Sequence, residues 1–200
     1  MIHLHFVGDG PRDEAMMPRL IERILKVDVH ADFREWKSIH LHGKGYGKKL
    51  AFAIRVARDA AADGLVATVD ADKAPQRERL RELQSARDDD RSKAPSFPTA
   101  LGEAVPHAES WLLDDPVAVR QVMRLRLEST VPTIRQTKSP KQTLEDLRTQ
   151  GENEVDDVLT LLAAIAREVQ PSRCQHAKET GFNRFVADVQ RELGTIVARA

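Results

Sequence analysis

The sequence predicts an α/β fold: a mostly parallel central sheet of about four strands, flanked by helices, with a helical C-terminal part. Three observations predict it. Short apolar runs of strand character alternate with amphipathic helical stretches through the first half of the chain, each run ends at a break rich in glycine or aspartate, and residues beyond about 106 carry helical periodicity alone. Strands that alternate with helices must be joined by crossovers, which makes neighbouring strands parallel and the connections right-handed.

Residues 2–7, Ile2-His3-Leu4-His5-Phe6-Val7, read as the first strand, and Gly8-Asp9-Gly10-Pro11 breaks it. A helix follows, with Met17, Leu20, Ile21, Ile24 and Leu25 at helical spacing. Residues 36–42 alternate again and are expected to be the second strand, followed by a basic glycine loop over 43–47 and an Ala-rich helix over 48–62. Leu65-Val66-Ala67-Thr68-Val69 is a β-branched run suited to a strand buried on both faces, closed by Asp70-Ala71-Asp72. A charged helix is expected over about 74–88, a surface loop over 88–95 and a fourth strand over 98–105. Helices are then expected over roughly 108–113, 116–127, 139–149, 154–168 and 180–197; the fourth of these places Val155, Val158, Leu159, Leu162 and Ile165 along one face.

Two hundred residues suffice for one α/β domain with a small helical appendage, so the expected organisation is a core over 1–115 and a helical extension over 116–200 packed on it. The 31 basic and 31 acidic residues cancel, leaving any polyanion to be met by a local patch. Aromatic residues make up 4% of the chain, too few for the stacking platform that single-strand binders use. The lone Cys174 makes neither a disulfide nor a zinc framework and suits a reducing compartment, and it reads as an inert thiol. With no basic leader and no apolar stretch near the roughly 18 residues that span a bilayer, the expected location is the cytoplasm, off the membrane.

In open parallel sheets ligands bind beyond the carboxyl ends of the strands, where Asp9 follows the first strand and Asp70 and Asp72 close the third. Period-two alternation would point Asp70 and Asp72 to one side, and Glu14 lies about one turn into the first helix. Oxygen ligands of this kind select hard cations, Mg²⁺ or Mn²⁺, and such ions can activate water and stabilise a leaving oxygen in phosphodiester hydrolysis. Singly, each acid also has an ordinary reading: Asp72 as a helix cap, Asp9 as a turn residue, Glu14 as a first-turn charge. Their joint placement at two strand ends is what favours a site.

Asp9-Gly10-Pro11-Arg12-Asp13-Glu14 and Asp70-Ala71-Asp72 resemble the two signature motifs of the Toprim superfamily, found in topoisomerases, bacterial primases and OLD-type nucleases. The likeness is closest to small bacterial Toprim-like proteins often encoded beside an ATPase. It extends to the loop from Gly43 to Lys49, to His107-Ala108-Glu109-Ser110-Trp111-Leu112-Leu113, to Ser139-Pro140-Lys141 and to Phe182-Asn183-Arg184-Phe185. The family pattern has Glu where this chain has Asp9, one methylene shorter. The resemblance implies a metal-dependent nuclease in which Asp9, Glu14, Asp70, Asp72 and Glu109 are catalytic and hold Mg²⁺ or Mn²⁺. Glu109 would serve a second metal, and Lys138 or Lys141 would stabilise the scissile phosphate. It implies nucleic acid, DNA before RNA, as substrate, an ATPase subunit as partner and anti-phage defence as setting, and it leaves a homo-oligomer open.

Lys44, Lys48 and Lys49, with Arg55 and Arg58, are the candidate nucleic-acid patch, since glycines expose backbone N–H groups and a helix N-terminus favours anions; a solvated loop is the competing reading. The spacing is not that of an ATP-binding P-loop. The alternating pairs His3/His5 and His40/His42 read as strand histidines with satisfied hydrogen bonds, because no cysteine or third clustered ligand accompanies them. His107, two residues before Glu109, is a candidate to orient a phosphate or move a proton, whereas Trp111 and Leu112 read as core anchors. The reading from a different class is a non-catalytic Toprim-like subunit that binds an ATPase or nucleic acid through the 154–168 helix and Arg120, Arg124 and Arg126.

Overall fold

The computed structural model describes residues 1–41, 45–72, 78–93, 95–152 and 157–198. Four strands, β1 (Ile2–Gly8), β2 (Val29–Glu35), β3 (Gly64–Asp70) and β4 (Thr99–Ala104), pair in parallel in the order β2-β1-β3-β4. Between them run α1 (Pro11–Leu25), α2 (Tyr46–Asp59) and α3 (Glu78–Arg91); α4 (Glu109–Leu113), α5 (Pro116–Met123), α6 (Pro140–Gln150), α7 (Val158–Glu168) and α8 (Phe182–Val197) follow. The expected α/β class, with its parallel sheet of four strands and its helical C-terminal part, is what the chain adopts. Among the described residues no helix is long and apolar enough to cross a membrane.

Strand burial follows position in the sheet. β3 and β4 are buried along their whole length and β1 at every residue but His3, because helices cover both faces. The edge strand β2 alternates between half-buried and exposed over its first residues, since only one of its faces is packed. One layer joins Leu4, Phe6 and Val66 of the sheet to Met16, Met17, Leu20 and Ile21 of α1, Leu162 and Ile165 of α7, and Phe185 and Val189 of α8. The other joins Val7, Leu65, Ala67 and Val69 to Leu50, Ile54 and Ala57 of α2 and to Leu80 and Leu83 of α3. A buried ion pair ties this second layer to α8: Arg87 of α3 donates to Asp188 of α8 at 2.6 Å and to the Thr99 carbonyl of β4 at 3.1 Å.

The second strand differs from expectation. It is Val29–Glu35, and Trp36–Ser38 forms a 3₁₀ turn in place of a strand over 36–42. Trp36 and Ile39, the buried residues here, stand three apart, which suits a 3₁₀ turn, whereas Val29, Ala31 and Phe33 carry a genuine period of two. His40 is therefore off the sheet, and His42 lies outside the described residues. The expected start of α3 near 74 lies outside the described residues; from Glu78 the helix continues through Asp88–Arg91, where a loop was expected. Its last turn is anchored by Asp90, which accepts from Arg58 at 2.9 Å and from the Phe97 N–H at 3.1 Å. α5 ends at Met123 because Arg124 adopts the left-handed conformation, so Arg124 and Arg126 are not helical.

Candidate metal centre

Strand order reverses between β1 and β3: the chain leaves β1 for one edge and returns to β1's other side. In such sheets that switch point opens a crevice beyond the strands' carboxyl ends, and there Asp9 and Asp70 are tied directly together. The Asp9 carboxylate accepts the Asp70 backbone N–H at 2.8 Å, and Asp70 in turn accepts the Ala108 N–H at 2.9 Å, which sets His107 beside it. Asp72 is reached by a turn, not by continued strand. Its φ is +47°, and its N–H donates to the Pro106 carbonyl at 3.1 Å. Aspartate is among the few residues that enter this left-handed region readily.

The expected convergence of Asp70 and Asp72 is therefore present, by a different route from strand alternation. His107 Nδ1 lies 3.2 Å from Asp70 Oδ2 and 3.3 Å from Asp72 Oδ1, yet makes no hydrogen bond among the described residues. The three ligand atoms lie within 4.8 Å of one another. Two carboxylates and an imidazole so arranged can hold a metal ion.

Crowded, partly buried acids surround this triad. Burial and the Asp9 charge push the Asp70 carboxyl up to about 6, against the pull of Lys141. Burial likewise raises Asp9, offset by the Asp70 N–H. Asp13 is raised furthest, to about 8, by burial and by the charges of Asp70, Asp9 and Glu109. A bound cation would relieve all three. The opposing charges are peripheral: Lys141 Nζ is 3.7 Å from Asp70, Arg79 donates to Asp72 at 2.9 Å and to the Asp70 carbonyl, and Arg12 bridges Glu109 at 3.2 Å and Glu145 of α6 at 3.0 Å.

Asp9, Asp70, Asp72, Glu109 and Lys141 are thus gathered, with Glu109 buried and already paired to Arg12. Glu14 is exposed on the outer side of α1, and Asp13 takes the inward place. Asp13 accepts the Asp9 N–H at 2.7 Å, and Gly8 makes room for it: a Cβ there would stand 2.7 Å from Asp13 Oδ2. Sequence reasoning missed Asp13, Arg12 and Arg79; a helix started by Pro11, which fixes the phase of the residues behind it, is the signal that points to Asp13.

The basic patch is dispersed. Lys44 lies outside the described residues, and Lys49 donates its ammonium to the Trp36 carbonyl at 2.6 Å, leaving it committed to the fold. Lys48 is exposed on a cleft of about 660 Å³ between α2 and α3, shared with Arg55 and Arg58 but also with Glu82, Asp89 and Asp90. This mixed-sign cleft is separate from the acids at the strand ends, where the chemistry is concentrated. Lys138 is exposed. Cys174 is half-buried, its thiol pushed up to about 12, which suppresses the reactive thiolate. No protein-family model matches the chain, and no curated protein or solved structure does.

Proposed function

We propose that the chain is a metal-dependent phosphodiesterase, a nuclease of the Toprim kind that cuts DNA or RNA at the β1/β3 crevice. The observation that carries this reading is His107 Nδ1 within 3.3 Å of the carboxylates of both Asp70 and Asp72 at a strand-order switch point. Asp70, Asp72 and His107 would hold the ion. The carboxylates favour Mg²⁺ or Mn²⁺, and the imidazole shifts the balance towards Mn²⁺. When bound, such an ion supplies Lewis-acid stabilisation and lowers the pKa of water. Asp9, its carboxyl raised by burial, would take a proton from the attacking water. Lys141, half-exposed beside Asp70, would meet the phosphate charge, and Arg79 would keep Asp72 in place. The resemblance drawn from the Asp9–Glu14 and Asp70–Asp72 motifs supports the same reaction class.

The non-catalytic reading, a subunit that docks an ATPase or nucleic acid, has less support. Leu162 and Ile165 of its contact helix are buried in the core beside α1, Arg120 donates to the Arg126 and Ser129 carbonyls, and Arg126 pairs with Glu152. The deciding experiment is calorimetric titration of Mn²⁺ and Mg²⁺ into the wild type and an Asp70→Asn, Asp72→Asn double variant, with plasmid cleavage assayed on the same samples and folding checked by circular dichroism. Binding at this site and cleavage should both vanish in the folded double variant. Undiminished cleavage by that variant would refute the assignment.

A further inference from the structure

At the opposite end of β1 from Asp9, the face of the sheet edge carries a second group of donors. His3 and His5 of β1 lie on the face away from Leu4 and Phe6, and the parallel register sets His3 against His30 and His5 against Asp32 on β2. Those four side chains therefore share one face of two adjacent strands. The His3 and His30 rings stand 4.9 Å apart between centroids, and His3 Nε2 lies 2.7 Å from Asp32 Oδ2.

We propose that His3, His30 and Asp32 form a transition-metal site for a zinc-class divalent ion, independent of the acids at the strand ends. One ligand atom from each of the three lies within 4.8 Å of the other two. Ligands about 2.0–2.2 Å from one ion stand about 3–4 Å from each other, so small side-chain rotations close the set. Two imidazoles with one carboxylate select zinc, nickel, copper or iron(II) over the hard ions preferred by carboxylates alone. His30 and Asp32 are exposed, so remaining coordination positions face water. A plain His3–Asp32 surface pair would leave the adjacent His30 ring and the state of His5 without a role. His5 is 5% exposed, sits beside Asp32 in the register, and neither of its ring nitrogens has a hydrogen-bond partner among the described residues. Such a buried, unsatisfied imidazole costs free energy that a ligand entering beside it would relieve. Arg34, further along the same face, opposes a cation, and the Asp32 charge offsets it. The ion would clamp the edge strand β2 to β1.

The test uses the full chain stripped with chelator, titrated with Zn²⁺ by calorimetry and with Co²⁺ by visible absorption. It compares the wild type, His30→Ala, Asp32→Asn, and the Asp70→Asn, Asp72→Asn double variant. The double variant should keep one Zn²⁺ equivalent and its Co²⁺ band, whereas His30→Ala and Asp32→Asn should each weaken that binding about ten-fold or more, since even losing a ligand's supporting partner costs that much. Imidazole ¹⁵N shifts of His3 and His30 on Zn²⁺ addition to the wild type provide a readout that depends on no variant folding. Wild-type Zn²⁺ affinity in both His30→Ala and Asp32→Asn, or unmoved His3 and His30 resonances at saturation, would overturn the proposal.

Discussion

Beneath Gly8 and Asp9, the Asp13 carboxyl titrates near 8 instead of 3.8, so the folded chain holds a proton there that the unfolded chain releases. The sign follows from linkage: the contribution of Asp13 to stability is fully present below about 3.8 and is lost as pH rises through about 8. Asp70, raised to about 6, acts in the same direction over a narrower window, and the buried His5, whose pKa is lowered, acts in the opposite one. Comparing Asp13→Asn with the wild type isolates the first effect. In metal-free buffer the variant should melt at higher temperature than the wild type near pH 8, and the gap should close towards pH 4, as scanning calorimetry can measure. A gap that does not change with pH would refute the assignment. Asp70 and Asp72 were legible in the sequence because a strand end followed by acids is a local pattern. Asp13 was not, because choosing it over Glu14 needs the phase of α1, and one residue turns a helix by about 100°.

α7 shows how the same apolar stripe supports two readings until its partner is known. Val158, Leu159, Leu162 and Ile165 suit a docking face as well as a core face; in the fold α7 packs on α1, and Leu162 and Ile165 are fully buried there. Ile165→Ala should therefore cost about 2–5 kcal/mol in denaturant unfolding, as a buried truncation does; an unchanged midpoint would mean that the stripe is free. α8 depends on Gly181 in a comparable way, for at φ +83° a Cβ would stand 2.2 Å from the Glu103 carbonyl oxygen. Gly181→Ala should destabilise by more than about 1 kcal/mol, the conformational cost and the clash adding together. At this scale the helices and three of the strands could be read from the sequence to within a few residues. β2 could not, because Trp36-Lys37-Ser38-Ile39-His40-Leu41-His42 imitates a strand better than Val29–Glu35, an edge element whose open face carries His30 and Asp32. With strand character read over 36–42, His30 and Asp32 fall off the sheet, so the His3/His5 pair has no third ligand beside it in the sequence.

Across the whole molecule the candidate centre depends on residues from both parts of the expected 1–115 and 116–200 division. Lys141 comes from α6, and Arg12 of α1 joins Glu109 of α4 to Glu145 of α6. One apolar cluster likewise runs from Phe6 and Met17 through Trp111 to Leu162, Phe185 and Leu193. Trp111 donates to the Thr180 carbonyl at 2.7 Å and stacks on Phe185 at 4.7 Å, while Asp188 of α8 neutralises Arg87 of α3. A fragment ending at residue 115 would expose the α1 face of Met16, Met17, Leu20 and Ile21 and leave Arg87 beside β4 without its carboxylate. Losing one partner of a buried pair alone costs about 3–5 kcal/mol, comparable to the whole margin of a small domain. The 1–115 fragment should accordingly show no cooperative thermal transition and poorly dispersed amide resonances. A well-dispersed spectrum with a sharp transition would establish that the α/β part is autonomous, and would move the basis of the acid cluster's geometry from the packing of α6, α7 and α8 to the sheet alone.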